Sequence, residues 1–320
     1  MAPSAVLRRL LCLIAGKTRV MLDCGAFTAF NAGRAISARG YFDFCKELSG
    51  VVWNYVQLDV VWNAKATREN LNAMVREGLK PMPVLTVNAD ENDVLWMEKI
   101  NRWICVAGGP TQTFPWNAAR FERLHRITDG RVKIHGLGFT PGVRILRTKV
   151  ASVDSSSWSS AGRYGKIGVF TSDHGVRNIN AGVAAIHRQK GALPDALIHA
   201  LGRHKLAPDM LKWKRTLSGQ FSINGCLSML AWLQFQRHCE DRGVFMFLAL
   251  STIVHFATVA LVLNHTRDQV FDFESAGREL TEVLRMARSS TPEFVDYFHR
   301  GAESFNADWD RCRVVPLAVA

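Results

Sequence analysis

The chain has 320 residues, 48% apolar and 21% charged, a globular composition that excludes a disordered polymer and can bury a sizeable core. The 40 lysines and arginines against 28 acids leave a net charge of +12, which fits a polyanionic partner such as nucleic acid or, more simply, a basic soluble surface. Seven cysteines, an odd number without a framework spacing, point to a reducing compartment, and a cytoplasmic location is expected.

The opening SAVLRRLLCLIAG is too short in its apolar part for a signal peptide and reads as a helix. The strand RVMLD follows and closes on Asp23. GYFDFCKEL reads as a short helix before VVWNYVQLD, which closes on Asp59. A helix over Thr67–Glu77, stopped by Gly78, leads to PMPVLTV and then Asn88. Helical stretches over Asp93–Asn101 and Ala118–Ile127 alternate with WICVA, followed by Gly108 and Gly109, and with RVKI, followed by His135-Gly136-Leu137-Gly138. A short connection over Pro141–Leu146 precedes KVASVD, which closes on Asp154, and Lys166–Phe170 reads as a seventh strand. No eighth strand is legible.

This alternation predicts an α/β fold with parallel strands, of the (β/α)8 or TIM-barrel type, whether regular or irregular in its closure. From about Asn178 the patterns turn mainly helical, at Ala181–Gln189, Ala196–Leu201, Leu227–Cys239 and Gly277–Ala287. Residues 1–177 are therefore expected to form a catalytic barrel core, and 178–320 a helical part completing or covering it. The run Val244–Leu263 contains no Asp, Glu, Lys or Arg. It reads as a buried helix, with a membrane span as the alternative; Ser251, Thr252, His255 and Thr258, and the lack of a second span, favour burial and no membrane contact.

Chemistry concentrates where the strands end. Active sites of parallel barrels are built from the C-terminal ends of several strands, and here six strands end on reactive or sterically permissive residues. In Asp23-Cys24-Gly25-Ala26-Phe27-Thr28 a carboxylate stands beside small residues and an aromatic, which would form a slot for a flat ligand or, more plainly, a capped turn. Asp154 offers a second carboxylate for glycosidic chemistry, or an Asx-turn before Ser155-Ser156-Ser157. Asp59 could accept both donors of a guanine edge. Gly108 and Gly109 could offer N–H groups to a carbonyl oxygen, or simply turn the chain. Trp53, Trp62, Trp96, Trp103 and Trp116 read mostly as core and barrel-rim packing, and Trp158 as a candidate substrate contact. His174, His187 and His199 read as surface or helix-packing residues. The basic stretch Arg203–Arg215 is either a grip on phosphates or a solvated linker.

Taken in order, LDCGAF, LDV, VAGG, HGLGFTP and SVDSSSW resemble the motifs of the queuine/archaeosine tRNA-guanine transglycosylase superfamily. The resemblance spans roughly Val20 to Gly165 and is closer to the shorter phage and bacterial relatives, which exchange guanine for a 7-deazaguanine in DNA. It implies that Asp154 is the nucleophile and Asp23 the general acid/base. It further implies that Asp59, Gly108 and Gly109 read the base, that Phe27 and Leu137 sandwich it, and that Asn88 lies near a base-binding amide. Arg163, in Ala161-Gly162-Arg163, would face nucleic acid, as would Lys205, Lys212, Lys214 and Arg215 if the basic stretch grips the backbone.

The chain departs from the family at Cys24, Ala26 and Thr28, where Ser, Gly and Gln are usual. It also lacks the Cys-x-Cys-x-x-Cys zinc motif: Cys226, Cys239 and Cys312 with His238 or His255 have no tight ligand spacing. No metal and no cofactor are expected. The expected substrates are DNA and a free 7-deazaguanine base, such as the cyano-substituted one. The alternatives are exchange into tRNA, disfavoured by the missing zinc motif, and a catalytically silent nucleic-acid-binding relative.

Overall fold

The computed structural model describes residues 5–15, 18–86, 89–107, 114–159, 166–180, 202–204, 223–267, 270–307 and 317–319. Its first half alternates as the pattern requires. Helix α1 (Ala5–Ala15) buries Leu7, Leu10, Leu11 and Ile14, one stripe at helical spacing. Strand β1 (Val20–Leu22) is followed by α2 (Ala26–Asn31) and α3 (Ala38–Leu48), then by β2 (Asn54–Tyr55) and α4 (Ala64–Arg76). Strand β3 (Val84–Leu85) leads to α5 (Glu91–Ile100), whose start is set by a capping box between Asp90 and Asp93. Strand β4 (Trp103–Ala107), α6 (Phe114–Ile127) and β5 (Lys133–Leu137) continue the series, and a 3-10 turn over Gly142–Arg147 brings the chain to β6 (Val150–Ser155).

Lys166–Phe170 does not join this series. It belongs to β7 (Lys166–Thr171), which pairs antiparallel with β8 (Gly175–Asn180) in a separate hairpin. The apolar 20-mer is likewise not one helix. After α7 (Ile223–Glu240) it divides into strand β9 (Phe245–Leu250) and helix α8 (Ile253–Asn264), with Ser251 and Thr252 between them. Thr252 caps α8 by accepting from the His255 N–H at 3.3 Å. A short pair, β10 (Thr266–Arg267) and β11 (Val270–Phe271), precedes α9 (Phe273–Ser289), α10 (Pro292–Ala307) and β12 (Leu317–Val319). Helix α8 is buried almost all round, packed on α9 and α10, which explains its lack of charge. Among the described residues no helix is long and apolar enough to cross a membrane. The expected helices at Ala181–Gln189 and Ala196–Leu201 lie outside the described residues.

The protein is a mixed α/β structure around one eight-stranded sheet, ordered β2-β1-β12-β9-β6-β5-β4-β3 with every pairing parallel. The two ends of that order meet at a parallel bridge between Val56 and Met82. There Met82 N–H donates to the Tyr55 carbonyl at 2.8 Å, and Gln57 N–H to the Met82 carbonyl at 3.0 Å.

Alternation decides which face each side chain takes. Val20, Leu22, Ile104, Val106, Ile134, Val153, Leu248 and Leu250 belong to the large core shared with the helices. Their neighbours Met21, Val56, Met82, Cys105 and Phe247 form a second, smaller cluster on the opposite face. At the N-terminal strand ends Trp53 packs edge-on to Trp103 (4.8 Å) and stacks on Phe247 (5.2 Å). Cations cover this aromatic group: Arg19 lies 4.5 Å from the Phe245 ring and 5.7 Å from Trp53, and Lys133 lies 5.4 Å from Trp103. An aromatic group under cations thus covers this end of the sheet. Phe247→Ala should cost about 3–5 kcal/mol, read as a lowered urea midpoint at unchanged slope, because Phe247 is fully buried between Trp53 and His135.

Candidate functional site

The carboxylates 23, 59 and 154 are far apart in sequence but converge at the C-terminal strand ends. Asp23 follows β1 directly, and the N–H groups of Cys24 and Gly25 fold back onto its carboxylate. That turn needs a left-handed residue, and Gly25, at φ 72°, supplies it while starting α2. Asp59 comes from the segment after β2 and is tied to the first turn by Cys24, whose thiol donates to Oδ1 at 2.9 Å. Burial and the carboxylates Asp23 and Asp59 hold the Cys24 thiol well above its ordinary pKa, so it stays a donor.

Asp154 sits within β6, on the face opposite Val153. Its Oδ1 accepts the Gly138 N–H at 2.8 Å, from the turn that ends β5. Gly138 is itself left-handed, at φ 61°. Beneath it, His135 is fully buried, with Nδ1 2.7 Å from Ser152 Oγ and Nε2 3.3 Å from Asp154 Oδ1. The Nε2 approach is an electrostatic contact outside hydrogen-bond geometry, so Nε2 has no hydrogen-bond partner among the described residues.

The electrostatics follow from this crowding. Burial raises Asp23 to about 7, and the nearby charges of Asp154 and Asp59 add to the effect. Burial also raises Asp59, against the opposing hydrogen bond from Cys24. The buried Cys105 thiol of β4 feels all three carboxylates and is pushed well above its usual range. A carboxyl held near 7 by burial is able to take and give a proton near neutrality.

Aromatic side chains stand around this end. Phe27 is 59% exposed on the first turn of α2, and Trp62, four residues from the bridge-side Leu58 and just beyond Asp59, is 64% exposed. Trp62 also holds φ 63°, a strained value for a bulky side chain that recurs at functional loops. Of the tryptophans read as core or barrel-rim packing, Trp62 and Trp116 are exposed. Trp158 corrects the other way. It is 3% exposed, donates to the Ala249 carbonyl at 2.9 Å and packs edge-on to His255, which makes it a core residue rather than a substrate contact. Leu137, the last residue of β5, is half-buried against the smaller cluster around Met21, Met82 and Phe247. Asn88, Gly108, Gly109, Arg163, Lys205, Lys212, Lys214 and Arg215 lie outside the described residues.

His135 and Cys24 belong to this arrangement, although no motif gives either of them a role. Both had a visible signal. His135 is a polar residue in an otherwise apolar buried strand, and Ser152 and Asp154 share one face of theirs at a spacing of two. Among the described residues no group of three or more His, Cys, Asp or Glu side chains is arranged to hold a metal ion. Compared with protein-family models and with curated proteins, the sequence matches none.

Proposed function

We propose that this protein is a base-exchange glycosyltransferase that replaces guanine in DNA by a free 7-deazaguanine, on a (β/α)8 barrel. What supports the barrel is the strand order, which follows the chain around the sheet, together with the Val56–Met82 bridge between its two ends. What carries the activity is the meeting of Asp23, Asp59 and Asp154 at one end, with Asp23 raised to about 7. The motif order that resembles the transglycosylases places its nucleophile, acid/base and base reader on those same three residues.

In this reading Asp154 attacks C1′ of the target nucleoside while its other oxygen is held by Gly138 N–H. The C1′–N9 bond breaks, its electron pair goes to guanine, and protonated Asp23 supplies the proton that guanine carries away. The incoming base then returns a proton from N9 to Asp23. Its N9 attacks C1′, the ester to Asp154 breaks, and two inversions leave the configuration retained. Asp59 accepts the donors on the base edge, and exposed Phe27 offers a stacking face. His135 Nε2 stands 3.3 Å from Asp154 Oδ1 on its buried side. The target base must leave its stack to reach these residues.

The test is incorporation of labelled guanine, and of the cyano-substituted 7-deazaguanine, into DNA and into unmodified tRNA assayed side by side. Exchange into DNA is the expected result. Exchange into tRNA alone would replace the substrate and keep the chemistry; exchange into neither would leave a nucleic-acid-binding protein.

A further inference from the structure

A second constellation lies at the same end of the sheet, between α5 and α6. Arg120 ties two strand ends together: Nη1 donates to the Ala107 carbonyl at 3.1 Å and Nη2 to the Leu85 carbonyl at 2.8 Å. One turn on, Arg123 donates from both terminal nitrogens to the Ala89 carbonyl, at 3.2 and 3.3 Å. Neither guanidinium has a carboxylate partner among the described residues. Two acids of the adjoining helix α5 are engaged elsewhere, Asp93 with Arg68 and Glu98 with Arg131. The two cations face a cavity of about 180 Å³ walled by Thr86, Val94, Trp116 and Leu124. The Arg120 guanidinium lies over the Trp116 ring, 4.5 Å from its centroid.

Carbonyl dipoles satisfy hydrogen bonds but do not cancel two like charges held side by side. The strain is visible on Arg120, which burial and the neighbouring Arg123 lower to about 10. An arginine pair presents a fork suited to a tetrahedral oxyanion, and the cavity exceeds several times the ~30 Å³ share of one water. We propose that this pocket binds a phosphate group, held by Arg123 and the unused edge of Arg120 with Trp116 as its wall. The phosphate would come either from a nucleic-acid backbone or from a free phosphate or phosphate ester. The site stands on its own geometry and does not depend on the base-exchange reading.

Thermal unfolding in increasing inorganic phosphate, against sodium chloride at matched ionic strength, tests it in wild type and in Arg123→Gln. Phosphate should raise the wild-type midpoint by about 2–4 °C beyond the chloride control, and Arg123→Gln should remove most of that rise. Arg123→Gln is preferred to loss of Arg120, which joins β3 to β4; Arg120→Lys, keeping the charge without the fork, should weaken the rise without unfolding the chain. An equal phosphate response in wild type and Arg123→Gln would overturn the proposal. Binding of a single-stranded oligonucleotide across a salt series separates the two sources. A slope of log K against log salt reduced by about 0.7 in Arg123→Gln assigns a backbone phosphate, and an unchanged slope with a lost phosphate effect assigns a free one. Failure of guanine exchange would leave both measurements interpretable.

Discussion

If the protein exchanges bases as proposed, Asp154→Asn should abolish that exchange, with turnover falling about 10⁴-fold or more and no denaturant-stable protein–DNA adduct forming. The amide cannot make the glycosyl ester, yet its oxygen can still accept the Gly138 N–H that Asp154 Oδ1 takes at 2.8 Å. The fold should therefore survive, with a thermal midpoint close to wild type, so that lost activity reports chemistry rather than collapse. The check is a single-turnover exchange assay beside a denaturing gel for the trapped adduct. A variant that still exchanged labelled guanine at near the wild-type rate would make Asp154 a structural turn residue and require another nucleophile.

Asp23→Asn has two separable effects. On the proposed mechanism turnover should fall about 10²–10⁴-fold, because the proton that would leave with guanine has lost its donor. The covalent intermediate accumulates wherever its resolution also waits on that residue. Stability moves the other way. Asp23 titrates near 7 in the folded protein, against an unfolded value near 3.8, so the folded state holds its proton over an interval in which the unfolded chain has released it. The contribution of Asp23 is fully present below about pH 4 and is lost as pH rises through about 7. An asparagine does not titrate. The variant should match wild type at pH 4 and exceed it by about 2–4 kcal/mol at pH 8, the lower end allowing for the partial exposure of the side chain. Urea midpoints at pH 5, 7 and 8.5 read this directly. A stability difference that stays flat over that range would show that Asp23 is not raised by its neighbours, and would remove the acid/base role with it.

Much of this protein is legible in the order of its residues. Apolar runs of strand length separated by amphipathic helices, with a reactive residue at the end of each run, identify the α/β class and place Asp23, Asp59 and Asp154 at strand ends. The reason is local: a strand buried on both faces must be apolar, and the first polar residue marks where burial stops. The 20-mer Val244–Leu263 shows where that logic fails. A strand buried on both faces and a helix buried all round are equally free of charge, and only Ser251 and Thr252 separate β9 from α8. Strand Lys166–Thr171 fails for the opposite reason. Its pattern is right for a sheet, but its partner is the neighbouring β8 rather than β6, and pairing is a tertiary choice.

The site divides in the same way. The sequence alone identified the three carboxylates, since residue type and position at a strand end are properties of the chain. Only the tertiary structure could decide that Cys24 donates to Asp59, that His135 and Ser152 stand behind Asp154, and that Arg120 and Arg123 share a pocket without a carboxylate partner among the described residues. Each of these depends on which strands are neighbours and which face of each strand turns inward. The raised pKa of Asp23 belongs with them, because it comes from burial and from two charges that lie 36 and 131 positions away in the chain, by the residue numbers 23, 59 and 154. Burial and through-space charge are set by the packed fold, and no spacing along the chain encodes them.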